Sequence, residues 1–145
     1  MKLSKKIILL GLTLSVLFVC SCKTNEVKSS PVAENPVGKY DVVADAVTKQ
    51  CPIKVADGIQ MDKVEYNKSS HSLKYIYTFT KMAKSDNSEA TWKLIEAVTR
   101  ETLVAEFKSQ PAIGQFRNDK LNLIFVCNDK NNVHLFTVML KHGEY

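Results

Sequence analysis

Seven residues in this chain of 145 carry side chains suited to covalent, redox or metal chemistry. They are Cys20, Cys22, Cys51, Cys127, His71, His134 and His142. Their spacing argues against most of that chemistry. No pair of histidines stands at His-x₃-His, and no Cys-x-x-Cys occurs, so neither a metal set nor a cofactor site is expected. Asp57, Gly58 and Asp62 are too sparse for a calcium loop and read as a turn. Cys127 and His134 flank the last turn, but strand alternation puts His134 opposite to the face of Cys127, and no third group orients the pair. A Ser-centred elbow, a Gly-rich phosphate loop and paired carboxylates are all missing, so no catalytic residue is assigned. The enzymatic alternative left is an exported thiol-active or hydrolytic protein using Cys51 or Cys127.

Cys20 and Cys22 belong to a different pattern. Lys2, Lys5 and Lys6 precede an apolar run, Ile7 to Val19, of about a dozen residues, too short to span ~30 Å of hydrocarbon. This is a secretory signal, residues 1–21. Its end, Val19-Cys20-Ser21-Cys22, resembles the signal of bacterial lipoproteins: an aliphatic residue, two small ones, then the cysteine that is lipidated. Bulky Val19 before Cys20 disfavours a cut there, so Cys22 is the expected lipidation site. The resemblance implies a diacylglyceryl thioether on Cys22 and an acylated α-amino group. Each buried CH₂ contributes roughly 0.8 kcal/mol, and two or three chains make anchoring stable where one is marginal. Lys23 follows the cysteine, where the inner-membrane retention signal of enteric bacteria has Asp, so the expected address is the cell envelope, lipid-anchored at the outer membrane, with the periplasm as the compartment and the face of the membrane left open.

Removing the signal changes the charge argument. The chain has 20 basic and 15 acidic residues, net +5. Residues 22–145 keep 17 basic against 15 acidic ones, net +2. Arginine occurs only at Arg100 and Arg117, and no basic stripe exists, so a nucleic-acid partner is not expected. Cys51 and Cys127 are the cysteines left for the folded part. An exported compartment permits a disulfide between them. It would close a loop of about 75 residues, worth on the order of 4 kcal/mol in the loop-entropy view. Two buried free thiols are an equal alternative.

Residues 22–37 are polar, contain Pro31 and Pro36, and read as a lipidated N-terminus and tether. Residues 38–145 read as one small domain. Tyr40, Val43 and Val47 recur at helical spacing up to Gln50, and Pro52 ends the helix. Ile59 to Tyr66 reads as a strand and Asn67 to His71 as a turn. Leu73 to Thr80 is a strand with Leu73, Tyr75, Tyr77 and Phe79 on one face. Tyr66, Tyr75 and Tyr77 are expected as core and rim of the sheet, not as a recognition surface. Asp86 and Glu89 resemble a capping box opening a helix from Glu89 to about Lys108, with Ala90, Leu94, Ile95, Val98 and Ala105 as its stripe. Pro111 and Gly114 end it. Lys120 to Cys127 and Val133 to Leu140 are strands apolar on both faces. They are therefore expected either to be covered on both sides or to meet a partner on one. The tail from Lys141 is polar.

The order helix, hairpin, helix, hairpin predicts an α+β fold: two α-β-β units forming one four-stranded antiparallel sheet with helices packed on it. From Val47 onward the chain is similar to a family of small exported bacterial domains of uncharacterised function. The matching pieces are residues 50–55 (Gln-Cys-Pro-Ile-Lys-Val), 73–78 (Leu-Lys-Tyr-Ile-Tyr-Thr) and 123–131. Phe107-Lys108-Ser109 stands where that family often has a cysteine, and Asn131 where it usually has glycine. The resemblance implies fold and compartment only. The reading is thus a membrane-anchored envelope lipoprotein, a non-enzymatic binding or interaction module of unknown ligand, an envelope protein or another envelope component.

Overall fold

The structure, a computed structural model, describes residues 36–145, with side chains from residue 38. The expected signal peptide, Cys20, Cys22 and the tether up to residue 35 lie outside the described residues.

Helix α1 (Pro36–Thr48) starts earlier than the sequence pattern suggests and ends two residues sooner. Proline is tolerated in a first turn, where its missing N–H has no partner to lose. Strand β1 (Ile53–Ala56) follows, then a turn at Asp57-Gly58, and β2 (Ile59–Asn67). Gly58 has φ +79°, and a Cβ there would meet the Lys81 side chain at 3.1 Å. The sequence reading did not include β1. Four residues beside a proline carry too little alternation to be seen.

Strand β1 covers only the first part of β2. Past it, α1 supplies the missing partner. The Thr48 hydroxyl donates to the Val64 carbonyl at 2.7 Å and accepts from the Val64 N–H at 2.9 Å. One side chain thus occupies both backbone groups of an edge residue, which would otherwise need another strand.

Strand β3 (Ser72–Phe79) pairs antiparallel with β2. Then comes α2 (Glu89–Ser109), followed by a 3-10 turn at Pro111–Ile113 and the short α3 (Gly114–Asn118). At 1.5 Å per residue, α2 runs back about 30 Å, a little more than the length of an eight-residue strand. The chain therefore re-enters the sheet at the end where β3 began. Strand β4 (Asn122–Asp129) lies parallel to β3, with Tyr75 beside Phe125, and β5 (His134–Leu140) returns antiparallel beside β4. The sheet has five strands in the order β1-β2-β3-β4-β5 and is mixed. This corrects the expected four-stranded antiparallel sheet. The α+β class stands, and so do the two helix-then-hairpin segments, α1 before β2–β3 and α2 before β4–β5. The edge strand β1 and the parallel β3–β4 junction were not expected, because a long helix between strands makes a crossover that lets them run in the same direction.

Helix α2 lies on one face of the sheet, and α1 runs along its β2 edge. Helix α2 buries Trp92, Ile95, Leu103 and Phe107. Leu94 and Val98, expected in its buried stripe, are 53% and 44% exposed. The aromatic floor selects the larger side chains: Phe107 meets Phe125 with ring centroids 5.8 Å apart, and Trp92 meets Phe136 at 6.5 Å. The N-cap of α2 is Ser88, which accepts from the Thr91 N–H. Asp86 instead closes the preceding 3-10 turn by accepting from the Ala83 N–H at 2.8 Å. Tyr145, in the tail expected to be polar, is buried and donates to the Leu121 carbonyl at 2.6 Å. No described helix is long and apolar enough to cross a membrane.

Candidate functional site

The second face of the sheet is the place where the fold leaves apolar surface over. Leu73, Tyr75, Tyr77, Leu123, Phe125 and Cys127 point toward the helices and are buried. Their neighbours in sequence point the other way. Ile76 lies beside Val126, and Ile124 beside Met139, across three adjacent strands. Ile76, Ile124 and Val126 are half-buried, and Met139 is 47% exposed. No described helix lies over this patch. Parallel strand pairs are normally covered on both faces, because their neighbours are usually helices on each side. Here β3 and β4 are parallel and covered on one.

Polar side chains frame the patch without crossing it. Glu65 is bonded by Lys63 at 2.7 Å and by Lys74. Those two lysine contacts, Lys63 first, hold its carboxyl below the usual range. Asp62 accepts from Gln60 and from Thr78, each at 2.6 Å. On the far side the ring of His134 shares a hydrogen bond with the Thr137 hydroxyl at 2.9 Å. At one end, α1 rises beside the sheet and forms the wall of a groove of ≈ 580 Å³, with Asp41 and Asp45 opposite Lys63 and Lys74. Ser70, Ser72 and Ile124 also line an adjoining hollow of ≈ 360 Å³ that reaches Met139 and His142. The two form one trough across the strands.

The cysteines and histidines are not gathered at this face. Cys51 and Cys127 are both free thiols, the first half-buried and the second buried. Both lie near enough to Tyr77 to push its hydroxyl pKa up, after the larger effects of burial and of Tyr75. Burial, then the charge of Asp62, pushes the Cys51 thiol up. Burial, then the charge of Glu96, pushes Cys127 up to about 12. A thiol nucleophile requires the opposite shift. We expect mild alkylation of the folded protein to modify Cys51 within the time that Cys127 stays untouched, and both to react after unfolding. Equal labelling of the two would contradict the burial of Cys127. His134 pairs in register with Asn128, while Cys127 pairs with Phe136, so the ring and the thiol face opposite sides of the sheet.

His71 belongs to a structural junction that the sequence did not reveal. It has φ +46°, in the turn between β2 and β3. One ring nitrogen donates to the Asp119 carbonyl at 2.7 Å, and the other accepts from the Tyr66 hydroxyl at 2.7 Å. The roles follow from the partners, since a carbonyl can only accept. Tyr40 donates to the Asp119 carboxylate at 2.5 Å, and that bond above all holds Asp119 below the usual carboxylate range. The junction locks α1 to α3 and to the β2–β3 turn. Residues 79 apart in sequence meet there, and nothing local signals it. Among the described residues no group of histidine, cysteine and carboxylate side chains could hold a metal ion.

The apolar patch had a signal in the sequence: Ile124 and Val126 alternate with buried residues and are themselves apolar. What could not be read was that no helix would cover them.

Two solved structures share this fold. One is a protein from Pseudomonas aeruginosa assigned as secreted, with TM-score 0.57 and 12% identity over 80% of this chain and 98% of its own. The other is a pilotin from the type 2 secretion system of Vibrio vulnificus, with TM-score 0.53 and 9% identity over 73% of this chain and 87% of its own. At such identities the likeness shows the fold. No curated protein matches the chain. The family model described as Domain of unknown function (DUF8479) matches residues 38–136, from within α1 into β5, and the chain belongs to that family.

Proposed function

We propose that this protein is a lipid-anchored, non-enzymatic interaction module of a bacterial cell envelope, which holds a polypeptide partner against the uncovered face of its sheet. The observation that carries the reading is the parallel β3–β4 pair whose second face is apolar and bare. Exposed apolar surface gathered in one patch and rimmed by polar groups marks an interaction site. The upward shifts of both thiols support a binding role over a catalytic one. The fold shared with a secretion-system pilotin and a secreted protein supports an exported setting and a partner from an envelope assembly. Cys22 supplies the anchor, and Lys23 after it supports the outer membrane.

The test is photo-cross-linking in cells from probes placed at Ile76 and Met139, with a probe at Leu94 on the outer side of α2 as control. A discrete polypeptide adduct is expected from the first two and not from the third, and Val126→Glu removes it while the protein stays folded. Cys22→Ser is expected to stop fatty-acid incorporation and move the protein to the soluble fraction. Adducts from all three probes alike would end the binding reading, and unchanged fractionation would end the anchoring one.

A further inference from the structure

We propose that the end of the domain from which the N-terminal chain leaves lies against the anionic surface of a phospholipid bilayer, held by lysines from four separate segments. Lys39 comes from α1, Lys68 from the turn after β2, Lys120 from the residue pair before β4, and Lys141 from the tail after β5. All four are exposed. Hydrogen bonds prove that these segments converge. Lys39 reaches Asp119 at 3.4 Å, His71 reaches the carbonyl of Asp119, Asn122 donates to the Ser70 carbonyl at 2.9 Å, and the His142 N–H donates to Asn122 at 3.1 Å.

The charge at this end is in excess. Its carboxylates are Asp41, Asp119, Glu144 and, in the last turn of α2, the partly buried Glu106, whose carboxyl burial pushes above its usual range. Asp41 is taken by Lys68 at 2.9 Å, Asp119 by Lys39, and Glu144 by Arg100 at 2.7 Å. Neither Lys120 nor Lys141 makes an ion pair among the described residues. At the opposite end Lys81, Lys84, Lys93 and Lys130 stand among as many carboxylates, Asp57, Asp86, Glu89 and Asp129. Lys81 pairs with Asp57 at 2.6 Å and Lys93 with Glu89 at 3.1 Å, while Lys84 and Lys130 make no ion pair among the described residues. Basic side chains thus outnumber carboxylates where α1 begins and are balanced by them at the other end.

Connection and charge act together. The inference rests on the anchoring reading for the tether alone. Thirteen residues stand between Cys22 and Pro36, a length that reaches at most about 45 Å, so an anchored domain meets the bilayer at high local concentration. A lysine near an anionic surface then contributes about a fivefold preference, which fades beyond about 10 Å in ordinary salt. The strands run from this end to the other, so they point away from the bilayer and the bare face stands open sideways to a partner.

The experiment uses the lipidated protein in vesicles of phosphatidylethanolamine and phosphatidylglycerol carrying a gadolinium headgroup chelate, read by amide relaxation. Residues 67–71, 119–122 and 141–143 should broaden severalfold more than residues 57–58 and 130–132. That contrast should vanish in phosphatidylcholine vesicles, in high salt, and in the triple variant Lys68→Gln, Lys120→Gln, Lys141→Gln, whose otherwise unchanged amide spectrum shows that it is folded. Equal broadening at both ends, strongest broadening at Ile76 and Met139, or a contrast that survives in phosphatidylcholine would overturn the proposal. Unlipidated Cys22→Ser protein separates the two readings. Each lysine removed should lower its partition to anionic vesicles about fivefold, whether or not the native cysteine is acylated.

Discussion

Phe125→Ala is expected to lower the free energy of unfolding by about 3–5 kcal/mol, the range for removing a buried aromatic ring. The ring lies at the centre of the aromatic floor. Its centroid is 5.3 Å from that of Tyr75, 6.5 Å from Tyr77 and 5.8 Å from Phe107. Tyr75 and Phe125 sit side by side on the parallel strands, their rings stacked with planes within 10° of parallel. Phe107 reaches down from α2. Deleting the ring opens a void between the sheet and its long helix that rigid neighbours cannot fill. A domain of this size has only about 5–15 kcal/mol in total, so the variant should be close to unfolding at growth temperature. Denaturant titration measures it. Phe125→Leu, which retains most of the volume, should recover more than half of the loss. A loss below about 1 kcal/mol for the alanine variant would mean that the floor is not the packed core described here.

Asp129→Ala should come second, lowering the melting temperature on the order of 10 °C. Asp129 is 1% exposed, yet it is not an isolated buried charge. One carboxylate oxygen accepts from the N–H groups of Asn131 at 2.7 Å and Val133 at 2.8 Å, and the other from Lys84 at 2.8 Å. It organises the β4–β5 turn and joins it to the segment leading into α2. Alanine leaves three backbone donors without their acceptor. Asparagine should cost less, since its carbonyl can still serve Asn131 and Val133 while its amide opposes Lys84. Burial alone would raise the pKa of this group, but the bonds from Val133, Lys84 and Asn131 outweigh it and hold the carboxyl below its ordinary value. Its contribution is thus fully present above the unfolded pKa of about 3.9 and lost as pH falls through the lower folded one. The melting temperature of the parent should fall below pH 4 more steeply than that of Asp129→Asn. Parallel curves would remove Asp129 from the account.

Both residues show how much of the molecule was legible beforehand. Phe125 stood in a visible alternation with Leu123 and Cys127, so its strand and its buried face could be read directly. Asp129 looked like one more turn residue in the run from Asn128 to Asn132, because the Lys84 N–H that makes it special comes from 45 positions away. Helix α2 was readable as a helix, but not by which side it packs. Its two apolar stripes, one of Leu94 and Val98 and one of Trp92, Leu103 and Phe107, compete, and only the shape of the opposing sheet decides between them.

Local periodicity and punctuation by proline and glycine settle within a few residues of chain, and these the amino-acid sequence determined alone: the α+β class, strands β2 to β5 and the long helix. The parallel pairing of β3 with β4, the edge strand β1, the Tyr40–Asp119–His71 junction and the bareness of the second sheet face depend on contacts between distant segments. Those were decided only when a helix as long as the sheet carried the chain back to where β3 began.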